Sequence, residues 1–228
     1  SEEEPGGVPS LESVRNHPFF WLADPLDGTR DFLAGEKTYA VSLALMCIHE
    51  GRVTPYFGAI CDPNQETTWW GSRETPLIKR VHSDEVDLPP ARKGEGLPLR
   101  VLGSRSIPSE RMKMLYEFWN VSEVTRMGSA LKFALIAEGS YDVYPRFGPT
   151  SEWDTAAGQL LLEISGGGLN SIETGNPMQY GKQYGKQYGK TDWINQGFLA
   201  TRSIKLMEEW LPLVRQQFKE APKLRYSR

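Results

Sequence analysis

Cysteine and histidine are scarce in this chain, with two and three copies in 228 residues. Cys47 and Cys61 do not have the spacing of a metal site. His17, His49 and His82 are scattered, so neither a zinc centre nor a serine or cysteine triad is indicated. Both cysteines fall in strand-like segments and read as buried free thiols of a reducing compartment, which points to the cytoplasm. No apolar run is long enough to span a bilayer, and no signal peptide is visible. Neither charge sign dominates: the formal net charge is −3, which argues against a general binder of nucleic acid or membrane surfaces.

What the chain does have is acidic turns beside apolar strands and helices. Phe19-Phe20-Trp21-Leu22-Ala23 is apolar and aromatic and reads as a buried strand. Asp24 and Asp27 follow where it ends. Pro25 restricts φ, and Gly28 permits φ > 0 at a sharp turn. Such a turn aims two carboxylates and the Leu26 carbonyl at one point, a set of hard oxygens suited to Mg²⁺. Thr29 then opens a short helix through Phe32 and Leu33, with the Gly28 and Thr29 amides available to a phosphate. The alternative is an acidic turn with Asp27 as a helix cap.

A second acidic position opens an apolar helix. Asp154 precedes Ala156, Ala157, Leu160, Leu161, Leu162 and Ile164, and Gly166-Gly167-Gly168 ends the run. Taken alone, Asp154 reads as an N-terminal cap. Beside the first motif it becomes a third carboxylate for a metal cluster.

Trp-x-x-Asp-Pro-x-Asp-Gly-Thr followed by Trp-Asp-x-Ala-Ala-Gly resembles the paired signature of the inositol monophosphatase superfamily. These are Mg²⁺-dependent, lithium-sensitive phosphatases. The resemblance runs from Ser1-Glu2-Glu3-Glu4 to Gly197-Phe198-Leu199-Ala200. Within the superfamily, Asp27-Gly28-Thr29-Arg30-Asp31-Phe32, Ser104-Arg105-Ser106, Gly128-Ser129-Ala130-Leu131-Lys132-Phe133 and Tyr144-Pro145-Arg146-Phe147-Gly148-Pro149-Thr150 are similar to segments of the 3'(2'),5'-bisphosphate nucleotidases. That group removes the 3'-phosphate of 3'-phosphoadenosine 5'-phosphate, a by-product of sulfate assimilation and sulfotransfer.

The resemblance implies roles. Glu2, Asp24, Asp27, Asp154 and the Leu26 carbonyl would hold Mg²⁺, two or three ions in all. Thr29 would orient the attacking water. Gly28, Thr29, Ser129, Lys132 and Arg146 would bind substrate, with Lys132 and Arg146 facing its second phosphate. Ordinary surface charge is the alternative for those two. Ser104-Arg105-Ser106 ranks lower, since it reads equally well as a strand end plus a helix cap. The implied partner is a small nucleotide bisphosphate, not nucleic acid, and the oligomeric state is left open. An inositol or other sugar phosphatase is the alternative enzyme. A metal- or nucleotide-binding fragment without turnover is the alternative of another class.

Three features depart from the family. The acidic patch at Ser1 follows a substantial N-terminal segment in relatives, so a truncated chain is expected. Ile107 stands where nucleotidases carry histidine. Gln179-Tyr180-Gly181-Lys182 repeats through Lys186 and Lys190, which reads as a lengthened surface loop rather than a solenoid.

The expected fold is a layered α+β and α/β sandwich of the inositol monophosphatase type. Residues 1–96 form the remainder of an N-terminal α+β subdomain, and residues 97–228 form a C-terminal α/β subdomain. Strands are expected at Thr38–His49, Val53–Ile60, Thr67–Trp70 and Leu77–Arg80, and a linker over Ser83–Gly96. Beyond it come strand Arg100–Leu102, helix Ser109–Trp119, strand Val121–Met127, helix Ser129–Ala137 and strand Tyr141–Tyr144. A last helix near Ser203–Phe218 places Ile204, Met207, Leu211, Val214 and Phe218 on one core-facing side, ahead of a basic tail from Pro222.

Overall fold

The structure is a computed structural model that describes residues 18–50, 52–89, 98–105, 120–181 and 193–220. Glu2, Ile107, the expected helix at Ser109–Trp119, the repeat units from Lys182 to Lys190 and the tail from Pro222 lie outside the described residues.

An antiparallel sheet runs in simple chain order: β1 (Phe19–Asp27), β2 (Ala40–His49), β3 (Arg52–Asp62), β4 (Thr67–Ser72), β5 (Thr75–Val81) and β6 (Asp84–Leu88). Its strands alternate as a sheet with one covered face should. Ala40, Ser42, Ala44 and Met46 of β2 are buried, while the residues between them are partly or fully exposed. The segment expected to begin a linker at Ser83 instead forms β6, paired antiparallel with β5. Its charged residues are exposed, as suits an edge strand. That charge is what made it look like linker.

A second sheet has the order β11 (Gly168–Ser171), β13 (Phe198–Thr201), β9 (Val143–Arg146), β7 (Leu99–Gly103) and β8 (Val121–Arg126). β7 is parallel to both β8 and β9, and β13 is antiparallel to its neighbours. A short pair, β10 (Thr150–Ser151) with β12 (Ile194–Asn195), stands apart. β10 and β12, of two residues each, lie below the length at which alternation is readable in a sequence.

Helices α2 (Leu131–Ala137) and α3 (Glu152–Ile164) lie between the sheets, and α4 (Ile204–Glu220) covers the far face of the second sheet. α3 is buried on nearly every side, and its buried polar residues Glu152, Thr155 and Gln159 all have hydrogen-bond partners. It approaches the first sheet closely through small residues. A Cβ at Gly58 would stand 2.9 Å from the Ala157 carbonyl oxygen, and one at Gly158 would strike the Phe133 ring at 2.4 Å.

Met207, Leu211 and Val214 of α4 face the core as expected, joined by Trp210. Ile204 does not: it is 51% exposed at the first turn, before the helix settles on the sheet. Cys47 and Cys61 are free but only half-buried, because their strands turn them to the less covered side of the first sheet. None of the described helices is long and apolar enough to cross a membrane.

Candidate active site

Asp24 and Asp27 both belong to β1. Residues three apart on a regular strand point to opposite faces. Here Asp24 pairs with Ser42 and Asp27 with Ala40, so β1 carries one more residue than β2 over this stretch. This bulge, at Pro25 and Leu26, turns Asp27 to the side that Asp24 already faces. Gly28 follows at φ +94°, and α1 (Thr29–Leu33) begins. The Thr29 hydroxyl donates to the Leu26 carbonyl at 3.1 Å, and the Leu26 amide donates to Asp24 Oδ1 at 3.0 Å.

Asp154 arrives from the N-terminus of α3. Asp154 is not itself the N-cap: Ser151 is, and its amide donates to Asp154 Oδ2 at 2.9 Å, which makes Asp154 the third helical residue of a capping box. The helix end is also docked on β2: the Ser42 hydroxyl donates to the Trp153 carbonyl at 3.2 Å. Ser42 is the register partner of Asp24. The same pairing therefore sets Asp24 and, through α3, Asp154.

As a result, Asp24, Asp27 and Asp154 each offer a carboxylate oxygen within 4.8 Å of the others. Burial, and then the Asp27 charge beside it, push the Asp154 carboxyl well above the usual carboxylate range. Three acids crowded this way repel one another, and a divalent cation would relieve that repulsion. All donors are hard oxygens, so the set fits a metal of the Mg²⁺ type.

The opposite wall is basic. Lys132, in the first turn of α2, is only 3% exposed. Its ammonium donates to the carbonyls of Ser129 at 2.5 Å and Met127 at 3.2 Å and lies 5.0 Å from the centre of the Tyr144 ring. Burial lowers its pKa to about 7. Arg146, at the end of β9, donates to the Pro149 carbonyl at 3.0 Å and lies within 3.5 Å of the Ser104 and Tyr144 hydroxyls.

Ser129 was expected inside a helix but precedes it, at φ +54°. That left-handed turn points the next amide back at the acidic wall, where Ala130 N donates to Asp27 Oδ2 at 2.5 Å.

Asp24, Leu26, Asp27, Gly28, Thr29, Ser129, Lys132, Arg146 and Asp154 all border one cleft of about 660 Å³. Of the metal ligands and substrate-binding residues that the resemblance implies, Glu2 lies outside the described residues, as does Ser106 of the lower-ranked Ser104-Arg105-Ser106. Ser104 and Arg105 border the cleft as well. Arg105 pairs with Asp31 at 3.0 Å, and Thr38 donates to the other Asp31 oxygen at 2.5 Å. Asp31 and Thr150 had no role in the sequence reading. Both lie within segments that resemble the nucleotidases, but the groups they meet come from other segments of the chain.

A layered α+β fold that sets an acidic cluster against basic groups across one cleft is the build of a metal-dependent phosphatase. The chain belongs to the inositol monophosphatase family, whose profile matches residues 1–218. It is 34% identical over 199 residues to the 3'(2'),5'-bisphosphate nucleotidase CysQ of Buchnera aphidicola, covering 84% of this chain and 68% of the relative. The Escherichia coli K12 protein of the same name is 33% identical over 200 residues, covering 87% and 73%. Among solved structures, CysQ from Bacteroides thetaiotaomicron, described as a bacterial member of the family, superposes with a TM-score of 0.69. It is 26% identical, with 88% of this chain and 78% of that one covered.

Proposed function

We propose that this chain is a Mg²⁺-dependent 3'(2'),5'-bisphosphate nucleotidase that converts 3'-phosphoadenosine 5'-phosphate and water to AMP and phosphate. The observation that carries this reading is the pairing, in one cleft, of a three-carboxylate cluster with a separate basic wall at Lys132 and Arg146. A monophosphate needs one anion-receiving end, whereas a bisphosphate needs two. The names of the nucleotidase relatives support the same substrate.

In this reading Asp24, Asp27, Asp154 and the Leu26 carbonyl hold the metal, joined by Glu2. When bound, the ions bind phosphoryl oxygens, lower the pKa of water and stabilise the leaving oxygen. Thr29 commits its proton to the Leu26 carbonyl. Its oxygen lone pairs are thereby left to accept from the attacking water and orient it. The water oxygen bonds to phosphorus, the ester bond breaks, and the 3'-oxygen leaves with a proton. Ser129, Lys132 and Arg146 receive the second phosphate. A dianion beside Lys132 would hold its ammonium protonated despite burial. The reading carries with it inhibition by lithium and clearance of a by-product of sulfate activation in the cytoplasm.

The test is phosphate release from 3'-phosphoadenosine 5'-phosphate with and without Mg²⁺, beside Asp27→Asn and a panel containing inositol 1-phosphate. Release that requires Mg²⁺ and vanishes in the variant supports the proposal. Preferential release from inositol 1-phosphate would assign the chain to the sugar phosphatases instead. A folded chain that binds Mg²⁺ and nucleotide without releasing phosphate would be a binding protein.

A further inference from the structure

Buried polar atoms nearly always have partners. Two that belong to cleft-lining residues have no hydrogen-bond partner: the Thr150 hydroxyl and Arg146 Nε. Thr150 is only 8% exposed. Both residues also border a hollow of about 90 Å³ behind the cleft, together with Lys132, Tyr144 and the carboxylates of Asp27 and Asp154. Phe133 and Phe198 wall it on the apolar side.

The chemistry of this hollow is lopsided. Arg146 Nε–H and the Lys132 ammonium can only donate, and the Thr150 hydroxyl has a proton to give. They arrive from three separate elements, β9, α2 and β10. A ligand that meets them needs several acceptor oxygens and negative charge, which describes a phosphate-type oxyanion. The carboxylates on the other wall would reject such a group unless a cation neutralises them. The anion therefore belongs at the basic wall.

We infer that Thr150 is a further substrate-positioning residue, whose hydroxyl, beside Arg146 Nε, donates to the phosphate group that is not hydrolysed. This rests on the nucleotidase reading of the cleft. It also explains why a buried hydroxyl is left unpaired in the free protein: its partner comes with the substrate. Thr150 immediately precedes the N-cap Ser151, so the strand that presents this hydroxyl also starts the helix that carries Asp154.

The experiment compares the full chain with Thr150→Val and Thr150→Ser by thermal unfolding, in Mg²⁺, with 5'-AMP or adenosine as probes. Valine keeps the shape and removes the hydroxyl. Thr150→Val is expected to melt higher than the unsubstituted chain without ligand, because an unsatisfied buried donor is gone. It is expected to bind 5'-AMP about tenfold more weakly, about 1.4 kcal/mol, with binding of adenosine unchanged. Serine should restore 5'-AMP binding. A merely structural role moves the midpoint the other way. A lower ligand-free midpoint in Thr150→Val, or an undiminished response to 5'-AMP, overturns the inference. An unsubstituted chain that responds no better to 5'-AMP than to adenosine also overturns it. Phosphate release judges the nucleotidase reading separately, and it can succeed while this inference fails.

Discussion

The amide of Ala130 donates to Asp27 Oδ2 at 2.5 Å, joining two motifs that stand 103 positions apart in the chain. The bond ties the bulged end of β1 to the turn ahead of α2. One Asp27 oxygen is thus oriented by protein, and the residue also offers an oxygen to the acidic cluster.

Asp27→Asn should separate these two duties. Asparagine keeps an acceptor for the Ala130 amide, so the variant is expected to fold. Without metal its melting point should equal or exceed that of the parent, because repulsion with Asp154 is removed. Stabilisation by Mg²⁺ should vanish, and phosphate release should fall by at least about 100-fold. Thermal melts with and without Mg²⁺, beside a phosphate assay, check all three points.

Lys132 should give the metal-free protein a pH signature. Its folded pKa is about 7, while in the unfolded chain it titrates near the ordinary lysine value of about 10.4. Between those values the unfolded state binds more protons, so the lysine's contribution makes stability rise with pH and is lost as pH falls through 7. Lys132→Met removes the titrating group. It should lower stability overall, because the Ser129 and Met127 carbonyls lose their donor, and it should flatten the rise between pH 7 and 10. Denaturant midpoints across that range, in chelator, are the measurement.

Gly158→Ala tests the packing that delivers Asp154. The added methyl would meet the Phe133 ring and Cβ at 2.4–2.7 Å. That ring cannot swing away freely, since Tyr144 and Phe198 hold it at centroid distances of 5.6 and 5.5 Å. A loss of about 1–3 kcal/mol is expected. Because α3 must shift to make room, the Mg²⁺-induced stabilisation should also shrink.

The Gln-Tyr-Gly-Lys repeats give a prediction in the opposite direction. Tyr180 donates to Gln159 at 2.9 Å, and the Gly181 amide donates to Glu152 at 2.8 Å. Trp193 returns to the same residue, its carbonyl accepting from the Glu152 amide at 2.8 Å. Gly181 and Trp193, the described residues on either side of the repeats, are therefore both held at Glu152. Deleting Gln183 through Lys190 should change stability by less than about 0.5 kcal/mol. In that background, Tyr180→Phe should cost about 1 kcal/mol through the lost hydroxyl bond. Chemical denaturation of the three chains checks both values.

Much was legible in the chain because it is local. Alternation marked β2, strand-like composition marked β3 through β5, and Asp-Pro-Leu-Asp-Gly-Thr announced a turn, since proline and glycine restrict or free the backbone wherever they stand. Helix α3 declared itself by its apolar run and glycine stop. The signals failed where chemistry is ambiguous. Exposed charge on β6 reads as linker, and Ser129 reads as helix although its φ is positive. Ile204 fits the apolar stripe of α4 yet lies before the helix reaches the sheet.

The sequence by itself determined the residue types of the site: three aspartates, a lysine and an arginine in motifs that resemble one family. Only the tertiary structure decided how they meet. Asp24 and Asp27 would face opposite ways without the bulge, whose presence depends on pairing with β2. Asp154 stays part of a helix cap until Ser42 docks α3 on that strand. Thr150 closes the Tyr144–Thr150 segment that resembles the nucleotidases, but the sequence gives it no role of its own. Its hydroxyl matters because it is buried without a protein partner while Arg146, Lys132 and Asp154 are brought around the same hollow, and those are consequences of packing between distant segments.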